Sequence, residues 1–186
     1  CVPFNMGLRA ATGNIVVLSN AECIHFGDVL SDVARNVNES NYISYACYAI
    51  NNQQTCRIQS IPESRHLINT IRSQLYPLSQ SGRKNARGYW YNHTVIRPRG
   101  YHFLSAISKR VIDGLGGFDE AYAQGIGYDD DDLLLKIKRA GISINITNEQ
   151  RPFVIHQYHK NCFGIPDKKV KQNQNWVLLQ SKRKKR

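Results

Sequence analysis

No stretch of this 186-residue chain approaches the roughly 18 consecutive apolar residues that a membrane-spanning helix needs. No apolar leader of the secretory kind opens it either. Cysteines at metal-binding spacing are also missing. Cys1, Cys23, Cys47, Cys56 and Cys162 form no CxxC or CxxH pattern, which excludes the common structural zinc sites. Their odd number and scattered placement fit reduced, mostly buried thiols in a cytoplasmic protein, with contact to a membrane surface left open. Internal repeats are absent. Acidic residues are scarce, 14 against 25 Lys and Arg, for a net charge of +11. That excess suggests nucleic acid until its distribution is read. Residues 166–186 hold +7 of it, leaving only +4 on the other 165. The body is therefore mildly basic, which suits a dianionic small ligand as well as it suits a polynucleotide, and nucleic acid is not the expected partner.

What is present is a foldable composition, 41% hydrophobic and 10% aromatic, of a size for one domain. Residues 1–165 read as that domain and 166–186 as a solvated basic extension. Leu8–Ala11 reads as a short helix after a turn-like Asn5-Met6-Gly7, closed by Gly13. Ile15–Leu18 is a continuous apolar run of the buried parallel-strand type. The polar Ser19-Asn20-Ala21-Glu22 lies at its carboxyl end, where ligands gather in open α/β sheets. Helical spacing follows over Phe26–Asn36, and Tyr42–Ile50 is aromatic and β-branched enough for a strand. Pro62–Leu75 predicts a helix and Pro77–Gly88 a mobile loop. Phe103–Ser108 reads as a strand running into a helix at Lys109–Gly114. A second helix is expected from about Asp130 to Ala140, with Gly141 as its C-cap. Ile142–Ile146 and Phe153–His156 complete the strands. The alternation predicts an α/β fold around one central mixed sheet.

The densest chemistry lies in Gly116-Gly117-Phe118-Asp119-Glu120, then Gly125-Ile126-Gly127-Tyr128 and four aspartates, Asp129 to Asp132. Four adjacent carboxylates repel one another unless something outside binds them, and a helix N-terminus offsets only part of that repulsion. The glycines let backbone approach closely, and Leu133, Leu134, Leu135 and Ile137 anchor the helix behind. A solvated acidic helix start is the plain alternative. Tyr89, Trp90 and Tyr91 read first as core or loop packing, and secondly as a platform on which a sugar ring stacks.

These residues resemble the family-two glycosyltransferases. GGFDE, a short spacer and GYDDDDLLLKIKRAG are similar to that family's acidic pair and amphipathic helix. Asn5, Gly7, Ala11, Gly13 and Ile15 match its N-x-G-x-x-x-A-x-G-x-I run, and Val154-Ile155-His156-Gln157 matches its late metal-site histidine. The resemblance runs from Asn5 to about His159.

It implies an A-type glycosyltransferase fold and transfer of a sugar, with inversion, from a nucleotide-sugar donor, UDP-linked, to a hydroxyl of a glycan, lipid or protein acceptor. It makes Asp130 the base, with Asp129 and Asp132 as neighbouring candidates, gives acceptor contacts to Asp129 and an acceptor or base-orienting hydrogen bond to Asp132, and leaves Asp131 facing solvent; Trp90 and Tyr89 add the aromatic acceptor platform. Its divalent cation, Mn²⁺ or Mg²⁺, would be held by Glu22, His156 and Asn20, with His159 and His25 as further candidates. The family's usual D-x-D is here Asn20-Ala21-Glu22, one carboxylate replaced by an amide. The family's nucleotide-binding strands also precede the N-x-G run, which here begins at residue 5. The expectation is thus a fold lacking those strands, from a fragment of a longer transferase. The alternative is a non-catalytic, carbohydrate-binding or scaffolding remnant of the same fold.

Overall fold

A computed structural model describes residues 1–59, 89–160 and 166–184. The expected helix Pro62–Leu75, the loop Pro77–Gly88 and Cys162 lie outside them. Among the described residues the chain forms an α/β fold with two open, mixed four-stranded sheets rather than one. The first contains β1 (Ile15–Ser19), β6 (Leu104–Ser108), β3 (Asn41–Ser44) and β7 (Ser143–Ile146), in that spatial order. The second contains β2 (Cys23–Phe26), β8 (Phe153–His156), β4 (Cys47–Ala49) and β5 (Tyr89–Asn92). Each contains one parallel pair, β3 with β7 at the edge of the first sheet and β4 with β8 in the middle of the second, and the remaining pairings are antiparallel.

The sheets meet along a seam because the chain crosses between them repeatedly. The aromatic run Tyr42–Ile50, expected as one strand, divides at Tyr45-Ala46. There the Tyr45 amide donates to Leu104 O at 2.9 Å in the first sheet, and Ala46 O accepts from the Val154 amide at 2.9 Å in the second. Strand propensity continues through the break, and only the change of partner reveals it. The β1–β2 crossing is a tight turn closed by Cys23 N donating to Asn20 O at 3.1 Å. The carboxyl ends of β1, β3 and β7 therefore all face the seam.

Several local expectations change. Helix α1 spans Val2–Ala10, so Asn5-Met6-Gly7 lie within it; Pro3 sits in its first turn, where no amide hydrogen is needed. Among the described residues β1 lies at a sheet edge, antiparallel to β6, and Val17 is 37% exposed, so its apolar run is half-buried and alternating. Phe26 ends β2 instead of starting a helix. Helix α2 (Val29–Asn36) begins where Asp28 accepts from the Ser31 amide at 3.0 Å, and its Leu30 points to solvent. Helices α3 (Asn52–Gln59), α4 (Lys109–Gly114) and α5 (Asp129–Arg139) follow, with a 3₁₀ turn at Glu120–Gln124.

The basic segment 166–186, expected as a solvated extension, is helical over most of its length and largely exposed. Residues Lys168–Lys184 form helix α6, which packs on α5 and the 3₁₀ turn. Asn175, Leu179 and Lys182 are spaced for one helical face, and both Asn175 and Leu179 are buried.

Three clusters fill the interior. Leu8, Val16, Tyr42, Ile107, Phe118, Leu133 and Ile137 join α1, α4 and α5 to one face of the first sheet. Val29, Val33, Ile43, Tyr45 and Leu104 hold α2 to its other face. Tyr48, Trp90, Phe153 and Ile155 build the second sheet's core.

Candidate functional site

The acidic row begins at a left-handed residue. Tyr128 has φ 70° and ψ −6°, which turns the chain abruptly from the glycine loop into α5. A side chain in that region costs about 1–3 kcal/mol and persists only when its surroundings hold it. Here they do. Asn175 of α6 donates to Tyr122 O at 3.1 Å and to Gly127 O at 2.8 Å. A Cβ built at Gly125 would overlap the Asn175 amide, so only glycine allows this approach.

The aspartates, about 100° apart around the first turn, meet four environments. Asp132 is buried, 2% exposed, and takes Lys182 Nζ at 3.0 Å and the Tyr122 hydroxyl at 3.3 Å. It is a structural anchor, and its expected acceptor contact is withdrawn because it points into the protein. Asp131 is half-buried and accepts the Tyr101 hydroxyl at 3.3 Å, correcting its expected solvent position. Burial pushes the Asp131 carboxyl upward, and the Asp130 charge adds to that. Asp130 lies against His102 Nδ1 and keeps about a third of its side chain exposed. Asp129 is also partly exposed.

The glycine loop is fixed from α1. Asn5 donates to Phe118 O at 2.8 Å and to Glu120 Oε1 at 2.9 Å, and accepts from the Phe118 amide at 2.9 Å. The two sequence runs, N-x-G and GGFDE, are thus contacting parts of one support. Phe4 and Phe118 stack at 5.1 Å and both present edge contacts to His102, which holds the imidazole beside Asp130.

A second cluster forms at the seam. Glu22, on the β1–β2 turn, approaches His156 Nε2 at 3.2 Å, and with His159 offers three ligand atoms within 4.8 Å of one another. Burial lowers the His156 pKa, opposed by the Glu22 charge, which favours the neutral ligating imidazole. One carboxylate oxygen and two imidazole nitrogens are a chemically sound set for a divalent ion. Asn20 Nδ2 donates to Glu22 Oε1 at 3.1 Å and so positions that carboxylate. His25 is apart from the cluster, with its Nε2 2.8 Å from Ser19 Oγ.

Residues 101–103 connect the two clusters. Tyr101 meets Asp131 and His102 meets Asp130, while Phe103 packs edge-on against His156 at 5.9 Å and stacks on Tyr91 at 5.4 Å. Sequence reading missed Tyr101, His102 and Lys182. The available signal was that a polar–aromatic triplet directly precedes the central strand β6. Trp90 takes the core alternative, 1% exposed and edge-on to Tyr48, so its faces are not open to a ligand. Tyr89 stays half-buried at the surface beside Tyr91, with Arg97 over both rings.

A family model described as the N-terminal domain of galactosyltransferase matches residues 100–160. No curated protein matches the chain. The match covers about a third of the sequence. It includes the connecting triplet, the acidic row, His156 and His159, and links this region to the galactosyltransferases. With the Glu22–His156–His159 cluster, it is consistent with a metal-assisted transferase.

Proposed function

We propose that the chain is the acceptor-side, catalytic part of an inverting glycosyltransferase that uses a nucleotide-sugar donor, UDP-linked, and a hydroxyl acceptor on a glycan, lipid or protein. The observation that carries this reading is the triplet 101–103, which spans from the acidic row to the histidine cluster and lies inside the galactosyltransferase match. In this reading Asp130 takes the proton from the acceptor hydroxyl as its oxygen attacks the anomeric carbon. The bond from that carbon to the nucleoside diphosphate breaks on the opposite face, and the diphosphate leaves with the electron pair. His102 orients Asp130, Asp129 hydrogen-bonds a neighbouring acceptor hydroxyl, and Tyr89 offers a ring face at the entrance. Glu22, His156 and His159 would hold a divalent ion, with Asn20 aligning Glu22; two imidazoles favour Mn²⁺ over the oxygen-seeking Mg²⁺. Such an ion supplies charge neutralisation for a leaving diphosphate.

The nucleotide-binding strands that this function requires would pair along the outer edge of β1. That edge has no strand partner among the described residues. A cavity of about 340 Å³, lined by Phe4, Leu8 and Val17 among others, runs beside it.

The test is Asp130→Asn in protein carrying those strands, assayed with Mn²⁺ and a panel of UDP-sugars. Turnover should fall about 10²–10⁴-fold, the usual loss on removing a general base, with donor affinity retained. Unchanged turnover rejects Asp130. A non-catalytic carbohydrate-binding role is the second reading, favoured by Asn20 standing where the family has a carboxylate. Calorimetry separates the two, because only the transferase should bind UDP-sugar more tightly when Mn²⁺ is present.

A further inference from the structure

Helix α6 has two working faces. Asn175, Leu179 and Lys182 pack against the acidic helix and its loop. A different stripe, at spacings of three, four and seven, holds Lys169, Gln172, Asn173, Trp176 and Arg183. With Tyr128, the first four of these line an open groove of about 310 Å³. Trp176 is 41% exposed, its ring 5.5 Å from that of Tyr128 and tilted by 50°. The Arg183 guanidinium lies 5.9 Å from the Trp176 centroid. A large exposed aromatic is unusual on a chain whose other tryptophan is buried, and here it is paired with a strained tyrosine.

The groove's chemistry is selective. Two ring faces at an open angle suit the C–H face of a pyranose. Gln172 and Asn173 each offer donor and acceptor atoms to sugar hydroxyls. Lys169 and Arg183, one helical repeat to either side of Trp176, provide positive charge with no acidic residue in the stripe. Tyr128 is also the residue immediately before Asp129, so a ligand in the groove lies next to the carboxylates assigned above to the acceptor.

We propose that this groove is a subsite for a uronate-type sugar of the acceptor glycan, one or more units away from the attacking hydroxyl. The ring stacks on Trp176 and Tyr128, its hydroxyls meet Gln172 and Asn173, and its carboxylate meets Lys169. The proposal deepens the transferase reading and rests on it for the word acceptor, but the binding itself is measurable without turnover.

The probe is the oligogalacturonate tetramer, with cellotetraose as its neutral counterpart. The chain has two tryptophans, and Trp90 is sealed in the core, so acrylamide quenching of emission reports on Trp176. Oligogalacturonate should protect Trp176 from quenching and bind at least 10-fold more tightly than cellotetraose. By calorimetry, Trp176→Ala should weaken binding at least 10-fold and Trp176→Phe should retain it. Lys169→Gln should erase the preference for the charged sugar. Since Trp176 and Lys169 lie on the surface, unchanged circular dichroism and melting verify each variant's fold. Absence of protection, or equal affinity of wild type and Trp176→Ala, overturns the subsite. So does stronger protection by a single-stranded oligonucleotide of matched charge, which would make the stripe a nucleic-acid contact. A failed turnover assay with Asp130→Asn bears on the catalytic reading and leaves these binding outcomes unaffected.

Discussion

Aspartates 129–132 share a side-chain type and differ entirely in their surroundings, so their roles were not readable from the residue letters. Helical geometry sends each in a different direction, and only the neighbours decide which is buried, which is tied and which is free. Asp131 and Asp119 show the two opposite couplings to pH. The folded-state pKa of Asp131 is raised by burial and by Asp130, so its stabilising contribution is complete below the unfolded carboxylate value. That contribution is lost as pH rises through the folded value, and at neutral pH the charge opposes folding. Asp131→Asn should therefore raise Tm at pH 7, with the gain vanishing near pH 3; parallel melts at the two pH values measure it. Asp119 behaves inversely. Lys182 holds it below the usual carboxylate range, so its contribution is present above the unfolded value and lost as pH falls through the folded one. Lys182→Met removes that contribution and also strands Asp132, 2% exposed, without its principal cation. Leaving a buried carboxylate so poorly compensated costs about 3 kcal/mol. Urea unfolding should show that loss, whereas Lys182→Arg should recover most of it.

At the scale of elements, helix α5, helix α4 and strand β8 were legible because apolar spacing and caps mark their ends. The strap 101–103 was not. Tyr101, His102 and Phe103 have no periodic pattern, and their importance comes from touching residues about 30 and 50 positions later. The division of Tyr42–Ile50 was hidden for a related reason, since both halves are good strands and only their partners differ. Helix α6 escaped detection because its lysines dominate its composition, while Asn175 and Leu179 make its contacts. Its docking is testable at one glycine. Gly125→Ala should force Asn175 aside, release Gly127 and lower hydrogen-exchange protection across Lys168–Lys184, while amides of β3 and β6 keep theirs. The candidate metal-binding cluster spans three elements in the same way, from the β1–β2 turn to β8 and the segment beyond it. Glu22→Gln or His159→Ala should weaken Mn²⁺ binding, measured by electron paramagnetic resonance, and binding unchanged in both variants would remove the cluster from consideration.

Over the whole molecule, the two sheets share one seam, and residues 101–103 link the acidic row to the candidate metal-binding cluster there. The α/β class was readable from alternation alone, but two sheets were not, because connectivity leaves no local mark at a crossing. The outer edge of β1, with Val17 exposed, is one of the four sheet edges without a strand partner among the described residues. An edge of that kind invites strand addition. Helix α6, by contrast, adds no strand and closes no sheet. Among its contacts with the rest of the protein are those of Asn175, Leu179 and Lys182, the Trp176 ring on Tyr128, the Ile126 amide on Lys171 O and the Arg139 guanidinium on Lys182 O. They hold the glycine loop, the left-handed Tyr128 and the start of the acidic row. The helix is in effect a thermal fuse: warming should detach it before either sheet loosens, so hydrogen-exchange protection across Lys168–Lys184 should be lost at a lower temperature than that of β3 and β6.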